Sequence, residues 1–318
     1  MDFSPLFNRL ARLTNPPTKQ VPGLGNLCTI GHIDGPAGPI TTYTLGPDDA
    51  ETTVVFIHGF TLAADSFFQQ ARFLRDNYPR VRCLMLDLRG HGRTGEYDPE
   101  LLTVDGAADD VRAAIDALAP AGPLIVVGHS LGGLIALSLL RRAPEAVYRR
   151  IRGLMLIATS IESLSAQGLP QVLAMPIADR AYRILESSPE RIDKFREEMA
   201  DLLAPALAAT VFKRHSTPYD LVKFHADMIH KTPLSTFAGY FHDLQEHDEV
   251  AAADRLAGLP GFVIVGRDDH VTPLSQSKHI VDRWPDATLI ETKGVGHMII
   301  LEAPEVVNGA LAELLSRC

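Results

Sequence analysis

The stretch Pro123-Leu124-Ile125-Val126-Val127-Gly128-His129-Ser130-Leu131-Gly132-Gly133-Leu134, continued by apolar residues to Leu140, decides how the chain folds. A short, unbroken apolar run reads as a strand covered on both faces, and the run after Gly133 reads as a buried helix. Between them sits Gly-x-Ser-x-Gly, in the strand-to-helix setting where that pattern carries a mechanism. The turn must lift the Ser130 hydroxyl above the sheet edge, and side chains at 128 and 132 would collide with neighbouring backbone. The helix behind the serine points free N–H groups and a positive dipole end at any anion that forms there.

Apolar runs at residues 53–57, 82–86, 154–157, 262–265 and 288–291 repeat the continuous pattern of 124–127. Residues 27–33 and 40–45 read as an opening hairpin around a Gly/Pro turn. Helical patterns at 63–77, 103–118, 131–142, 274–284 and 304–316 fall between the runs. Alternation of this kind predicts an α/β fold: a mostly parallel central sheet with helices on both faces. Ligands of such sheets bind beyond the carboxyl ends of the strands.

One connection is too long for a crossover. From Thr159 to Gly258 there is no convincing strand, and helical candidates at 175–185, 189–204, 219–231 and 236–244 are divided by prolines. We expect an inserted helical cap over residues 161–254, a core made of 27–160 and 255–318, and an N-terminal extension over 1–26. Phe3, Leu6, Phe7, Leu10 and Leu13 recur at helical spacing in that extension, which suits a short amphipathic helix packed on the body.

A formal charge of −9 argues against a nucleic-acid partner, whose phosphates ask for a basic face. Cys28, Cys83 and Cys318 are few, odd in number and widely spaced, which suits a reducing compartment and forms neither a disulfide framework nor a zinc pattern. No apolar stretch reaches the ~20 residues that span a bilayer, and no signal-peptide pattern opens the chain, so the expected location is the cytoplasm. His242, Glu246, His247 and Asp248 could ligate a metal, but their spacing matches no known site and reads better as a solvated surface. Gly23-Leu24-Gly25 lacks the context of a dinucleotide loop, so neither cofactor nor metal is expected.

A serine hydroxyl needs a base, and histidine is the side chain suited to it at neutral pH. Of 12 histidines, His297 in Gly294-Val295-Gly296-His297-Met298 has the best address, a glycine-rich loop after the last strand and before the final helix. An imidazole in turn needs a carboxylate, and either Asp268 or Asp269 beyond strand 262–265 could supply it. Two N–H donors complete such a site. Leu131 gives one, and His58-Gly59-Phe60 offers the N–H of Phe60 as the other.

Taken in order, 58–60, Asp87 to Thr94, Gly-His-Ser-Leu-Gly-Gly at 128–133, Gly266 to Pro273 and Gly296-His297-Met298 resemble the α/β-hydrolase family, serine carboxylesterases and lipases in particular. The resemblance covers about residues 27–160 and 255–318. It implies a Ser130–Asp269–His297 triad, Asp269 being favoured over Asp268 because the family's Gly-x-x-Asp followed by proline falls on Gly266, Asp269 and Pro273. Glu162 is the backup acid, after the strand that ends near Thr159. The resemblance also implies an oxyanion hole at Phe60 and Leu131, while Arg89 and His91 look like residues that fix a turn.

The expected function is hydrolysis of esters of apolar acyl or alkyl groups through an acyl-enzyme, with Phe60, Leu131 and Met298 lining the substrate pocket. A carbon–carbon hydrolase, a perhydrolase or an acyltransferase would use the same triad, and a triad-bearing small-molecule receptor is the alternative of another class. A homo-oligomer is compatible with the sequence.

Overall fold

The computed structural model describes residues 21–163, 211–213 and 217–317. The helix expected near the N-terminus and those expected at 175–185 and 189–204 lie outside the described residues. Labels below number the described elements in chain order.

Eight strands form one sheet: β1 (Thr29–Gly35), β2 (Gly38–Leu45), β3 (Thr52–Ile57), β4 (Val81–Leu86), β5 (Leu124–His129), β6 (Ile151–Ile157), β7 (Gly261–Gly266) and β8 (Ala287–Thr292). Their spatial order is β1-β2-β4-β3-β5-β6-β7-β8. β1 pairs with β2, and β2 with β4, in antiparallel fashion. All later neighbours are parallel. The expected hairpin is therefore present at one edge, and its second strand joins it to the parallel body.

The unbroken apolar runs have their anticipated cause. Every residue of β3, β5 and β7 is buried, because helices cover both faces. One apolar cluster joins Val55, Ile57, Leu84, Val126 and Leu156 to helices α2 (Val104–Leu118) and α3 (Leu131–Arg142). The opposite cluster joins Val54, Phe56, Met85, Val127 and Ile264 to α1 (Phe68–Asn77) and the final helix, Pro304–Ser316. Alternate residues of β3, Val54 and Val55, thus enter opposite layers, as strand geometry requires. Thr103 caps α2, its hydroxyl accepting from the N–H of Gly106 at 3.0 Å, which stops the helix where the sequence pattern begins.

Between β6 and β7 the chain makes its long excursion, of which α5 (Tyr219–Lys231) and α6 (Leu234–Glu246) are described; α4 (Glu145–Tyr148) precedes β6. Pro218 and Pro233 stand immediately before α5 and α6, where a missing N–H is harmless. The excursion is tied at its stem: the N–H of Glu249 donates to the carbonyl of Ile161 at 2.8 Å. The Glu249 carboxylate, fully buried, takes 2.8 and 3.1 Å hydrogen bonds from Arg141 of α3. α7 (Leu274–Arg283), β8, a single helical turn α8 (Ile299–Glu302) and α9 (Pro304–Ser316) complete the chain. Among the described residues, no helix is long and apolar enough to cross a membrane.

Candidate active site

Four loops at the carboxyl ends of β3, β5, β7 and β8 carry the candidate triad and the two candidate N–H donors. Ser130 stands between β5 and α3 with φ 54° and ψ −121°, a conformation that costs a non-glycine residue free energy. Its surroundings hold it there. The Ser130 N–H donates to Ile157 O at 2.9 Å, and its carbonyl accepts from Gly133 N–H at 2.8 Å and from the Thr159 hydroxyl at 2.7 Å. The sharpness of the turn brings backbones together: a Cβ on Gly128 would lie 2.3 Å from Gly132 O, and one on Gly132 would lie 2.0 Å from Ile57 O. Glycine is required at both positions for that steric reason.

His297 lies 167 residues further along the chain, yet its Nε2 is 3.0 Å from Ser130 Oγ. Its Nδ1 is 2.9 Å from Asp269 Oδ2. Ser130 is half-buried, whereas His297 and Asp269 are enclosed. Asp269 also accepts from the N–H groups of Val271 and Thr272 on Oδ1, at 2.8 and 3.0 Å, and from the Thr272 hydroxyl on Oδ2 at 2.9 Å. Burial pushes the Asp269 carboxyl up, but the neighbouring imidazole and these donors outweigh it and hold the group below the usual carboxylate range.

The two other carboxylates considered in the sequence stand elsewhere. Asp268 is exposed. Glu162 meets His279 Nδ1 at 2.8 Å and Arg283 at 3.3 Å, on α7. Of the three acids, the described structure brings Asp269 to His297.

The loop after β3 is fixed by two buried histidines. His58 holds Gly59 O at 2.8 Å through Nδ1 and accepts the N–H of Leu88 at 3.0 Å through Nε2. His91 holds Arg89 O at 3.0 Å through Nδ1 and accepts the N–H of Thr61 at 3.1 Å through Nε2. Asp87 takes the N–H of Ala64 at 2.8 Å, the N–H of Arg93 at 2.8 Å and the Tyr43 hydroxyl at 2.7 Å. Arg89 forks onto buried Asp110 at 2.7 and 2.8 Å, so Arg89 and His91 act as braces of their turn. Inside this frame, and among the described residues, the N–H groups of Phe60 and Leu131 have no hydrogen-bond partner.

Of the pocket residues suggested by sequence, Phe60 is half-buried, while Leu131 and Met298 are almost fully enclosed in the clusters on opposite faces of the sheet. The Phe60 ring meets Phe237 and Tyr240 of α6 edge-on, with centroids 5.1 and 6.2 Å apart. The Thr236 hydroxyl of the same helix donates to Gly90 O at 2.6 Å.

Sequence reading missed the groups that hold the His297 loop. Buried Glu302 accepts the N–H of Gly296 at 2.8 Å and that of Lys213 at 2.7 Å. Val211 O accepts the N–H of His297 at 2.9 Å. Val211 and Lys213 come from a separate segment of the excursion and Glu302 from α8, and no local pattern announces their meeting. Thr272, by contrast, follows Asp269 by three residues and could have been proposed from an Asx-type turn. Of the metal-capable residues near the end of α6, only His247 joins a compact group among the described residues, with Asp105 and Glu249. Arg141 already bridges both carboxylates, at 2.9 Å to Asp105 and 2.8 Å to Glu249, so their charge is met by a guanidinium.

A hydroxyl, an imidazole and a carboxylate in line above parallel strands describe a site for acyl chemistry, and comparison with known proteins agrees with the architecture. Residues 54–310 match the model of the alpha/beta hydrolase family. The chain is 34% identical over 257 residues to the pimeloyl-[acyl-carrier protein] methyl ester esterase of Neisseria meningitidis, covering 81% of this chain and 91% of that one. To the enzyme of the same name from Chromobacterium violaceum it is 28% identical, covering 87% and 97%. Among solved structures, a thermophilic esterase from Thermogutta terrifontis superposes with a TM-score of 0.72 at 23% identity, covering 91% of this chain and 98% of that one. With the match spanning most of its length, from the middle of β3 into α9, this chain belongs to the alpha/beta hydrolase family.

Proposed function

We propose that the chain is a serine hydrolase that cleaves carboxylic esters of apolar acyl or alkyl groups through a covalent acyl-enzyme. The observation that carries this reading is the line Ser130 Oγ, His297 Nε2, His297 Nδ1, Asp269 Oδ2, with gaps of 3.0 and 2.9 Å. In the resting site Asp269 accepts Nδ1–H, which leaves the Nε2 lone pair for the serine proton. As Ser130 Oγ attacks the carbonyl carbon, its proton passes to His297 Nε2 and the carbonyl oxygen becomes an oxyanion. The unpartnered N–H groups of Phe60 and Leu131 receive that charge. The imidazolium then protonates the departing alkoxide, the tetrahedral carbon collapses to the acyl-enzyme, and water repeats the sequence to release the acid.

The substrate class is supported by the walls. Phe60, backed by the rings of Phe237 and of buried Tyr240, is assigned with Leu131 and Met298 to the pocket lining, and the excursion carrying α5 and α6 is assigned as a cap. The two similar enzymes named above are methyl ester esterases, which fits an ester with a small alcohol portion. A Ser130→Ala variant should lose hydrolysis of short p-nitrophenyl esters by at least about a thousandfold while its melting curve stays in place. Wild-type turnover in that variant would end the proposal. A panel of acyl and alkyl chain lengths then defines the preferred ester.

A further inference from the structure

We infer that His129 is a positioning residue for the base: it anchors the backbone of His297 to the strand that carries Ser130. This rests on the serine chemistry proposed above. His129 ends β5, directly before Ser130, and is 1% exposed. Its Nε2 lies 3.0 Å from the carbonyl oxygen of His297. A carbonyl can only accept, so Nε2 carries the proton and the neutral ring is the Nε2–H tautomer. Burial first, and then the neighbouring His297, pushes the imidazole down to about 3, which keeps it in this neutral form across ordinary pH.

The tautomer has a cost that identifies its purpose. Nδ1 is left as a bare acceptor, and nothing among the described residues donates to it. It faces Gly59, where a Cβ would sit 2.9 Å from Nδ1 and 3.1 Å from Ser130 Cβ. Leucine or methionine would fill this space without stranding a ring nitrogen, so a histidine here is worth having only for the bond made by Nε2–H.

That bond completes the fixation of His297. Val211 O accepts the His297 N–H at 2.9 Å, and His129 supplies the donor to its carbonyl, so both backbone groups of the base are held from outside its own loop. Neighbouring residues of one strand end thus present the nucleophile and brace its base. A drift of the His297 loop away from Ser130 must break the His129 bond, and the 3.0 Å gap between Nε2 and Oγ is held by the same link.

The test compares three variants with wild type and with Ser130→Ala. Glutamine places its amide nitrogen at the same reach as Nε2, whereas asparagine reaches only as far as Nδ1. We expect His129→Leu and His129→Asn to lower kcat roughly ten- to hundredfold with KM changed by less than about twofold, and His129→Gln to recover most of the loss. The downfield proton NMR signal of His297 Nδ1–H should broaden in the Leu and Asn variants and persist in Gln. Equal kcat in all three folded variants and wild type, with Ser130→Ala inactive, would overturn the role of His129 alone. Equal losses in all three, with the Nδ1–H signal intact, would also overturn it by reducing the residue to a packing role. Activity surviving in Ser130→Ala would instead remove the serine chemistry beneath it.

Discussion

His91 and His297 invite comparison. Both lie in glycine-flanked loops beyond strand ends, both are buried, and both use their two ring nitrogens. The partners differ. His91 faces a carbonyl and an amide, neither of which gains or loses a proton, and burial followed by the charge of neighbouring His58 pushes its imidazole down to about 3. His297 faces a carboxylate on one side and a hydroxyl on the other, so a proton taken at Nε2 is stabilised through Nδ1. Burial and glycine context are shared; the chemistry of the two partner atoms makes one ring a brace and the other a candidate base.

The comparison can be broken most sharply by exchanging its terms. His297→Ala should lower kcat/KM by about 10⁴ or more with little change in melting temperature. His91→Ala should do the reverse, leaving the Thr61 N–H buried without its acceptor, at a cost of about 1–3 kcal/mol in urea denaturation. Its kcat should fall less than about tenfold. Similar activity losses in the two variants would show that the partner atoms do not separate the roles.

Next in size is the carboxylate pair. Asp269→Asn should lower kcat by about 10³ to 10⁴, because an amide at that position favours the wrong tautomer. Exposed Asp268→Asn should stay within about threefold of wild type. Steady-state assays at one pH suffice, and the opposite order would move the acid to the neighbouring residue. Thr272→Val keeps the two backbone donors to Asp269 Oδ1 but removes the hydroxyl from Oδ2. It should lower kcat several-fold, by about 1 kcal/mol of lost orientation, with Thr272→Ser restoring it; no change on removal would mean that the backbone donors alone hold the carboxylate.

The smallest effect is one of pH. His58, His91 and His129 fold with imidazoles pushed down to about 4, about 3 and about 3, all by burial first. The unfolded chain takes up these protons from about pH 6.5 downward, while the folded chain resists until about pH 4. Their stabilisation is therefore complete above about pH 6.5 and declines as the solution is acidified through that window. His91→Gln should flatten the slope of unfolding free energy against pH by the equivalent of about one proton, measured by urea denaturation between pH 4 and 7. An unchanged slope would mean that His91 is already charged in the folded state.

Much of the fold is legible in the sequence. The runs at 53–57, 124–127 and 262–265 announce strands because both faces are covered, and chain order puts the candidate serine, acid and histidine after the fifth, seventh and eighth strands. Asp269 was distinguishable from Asp268 only through family resemblance; in the structure the difference is that one is enclosed by Val271, Thr272 and His297 and the other is exposed. The helix expected to start at Ala63 begins instead as a separate turn, Ala64–Phe67, whose first N–H is taken by Asp87, a partner 23 residues away. Val211 and His129 meet His297 through backbone contacts across long sequence separations, and neither periodicity nor spacing encodes such a meeting. Glu302 stands only six residues beyond Gly296, but its link to Lys213 spans 89 residues and is equally silent in the sequence.

The stem of the excursion has a consequence for how such a chain can change. Ile161 and Glu249 are joined by a single hydrogen bond, so the polypeptide comes back to where it left the sheet. Because closure entropy grows only slowly with loop length, the connection between these two points can be lengthened or shortened at small cost while the open sheet keeps its strand pairing. One obligation limits that freedom. Whatever replaces it must still offer a carbonyl where Val211 now stands, since the imidazole loop borrows its footing from there.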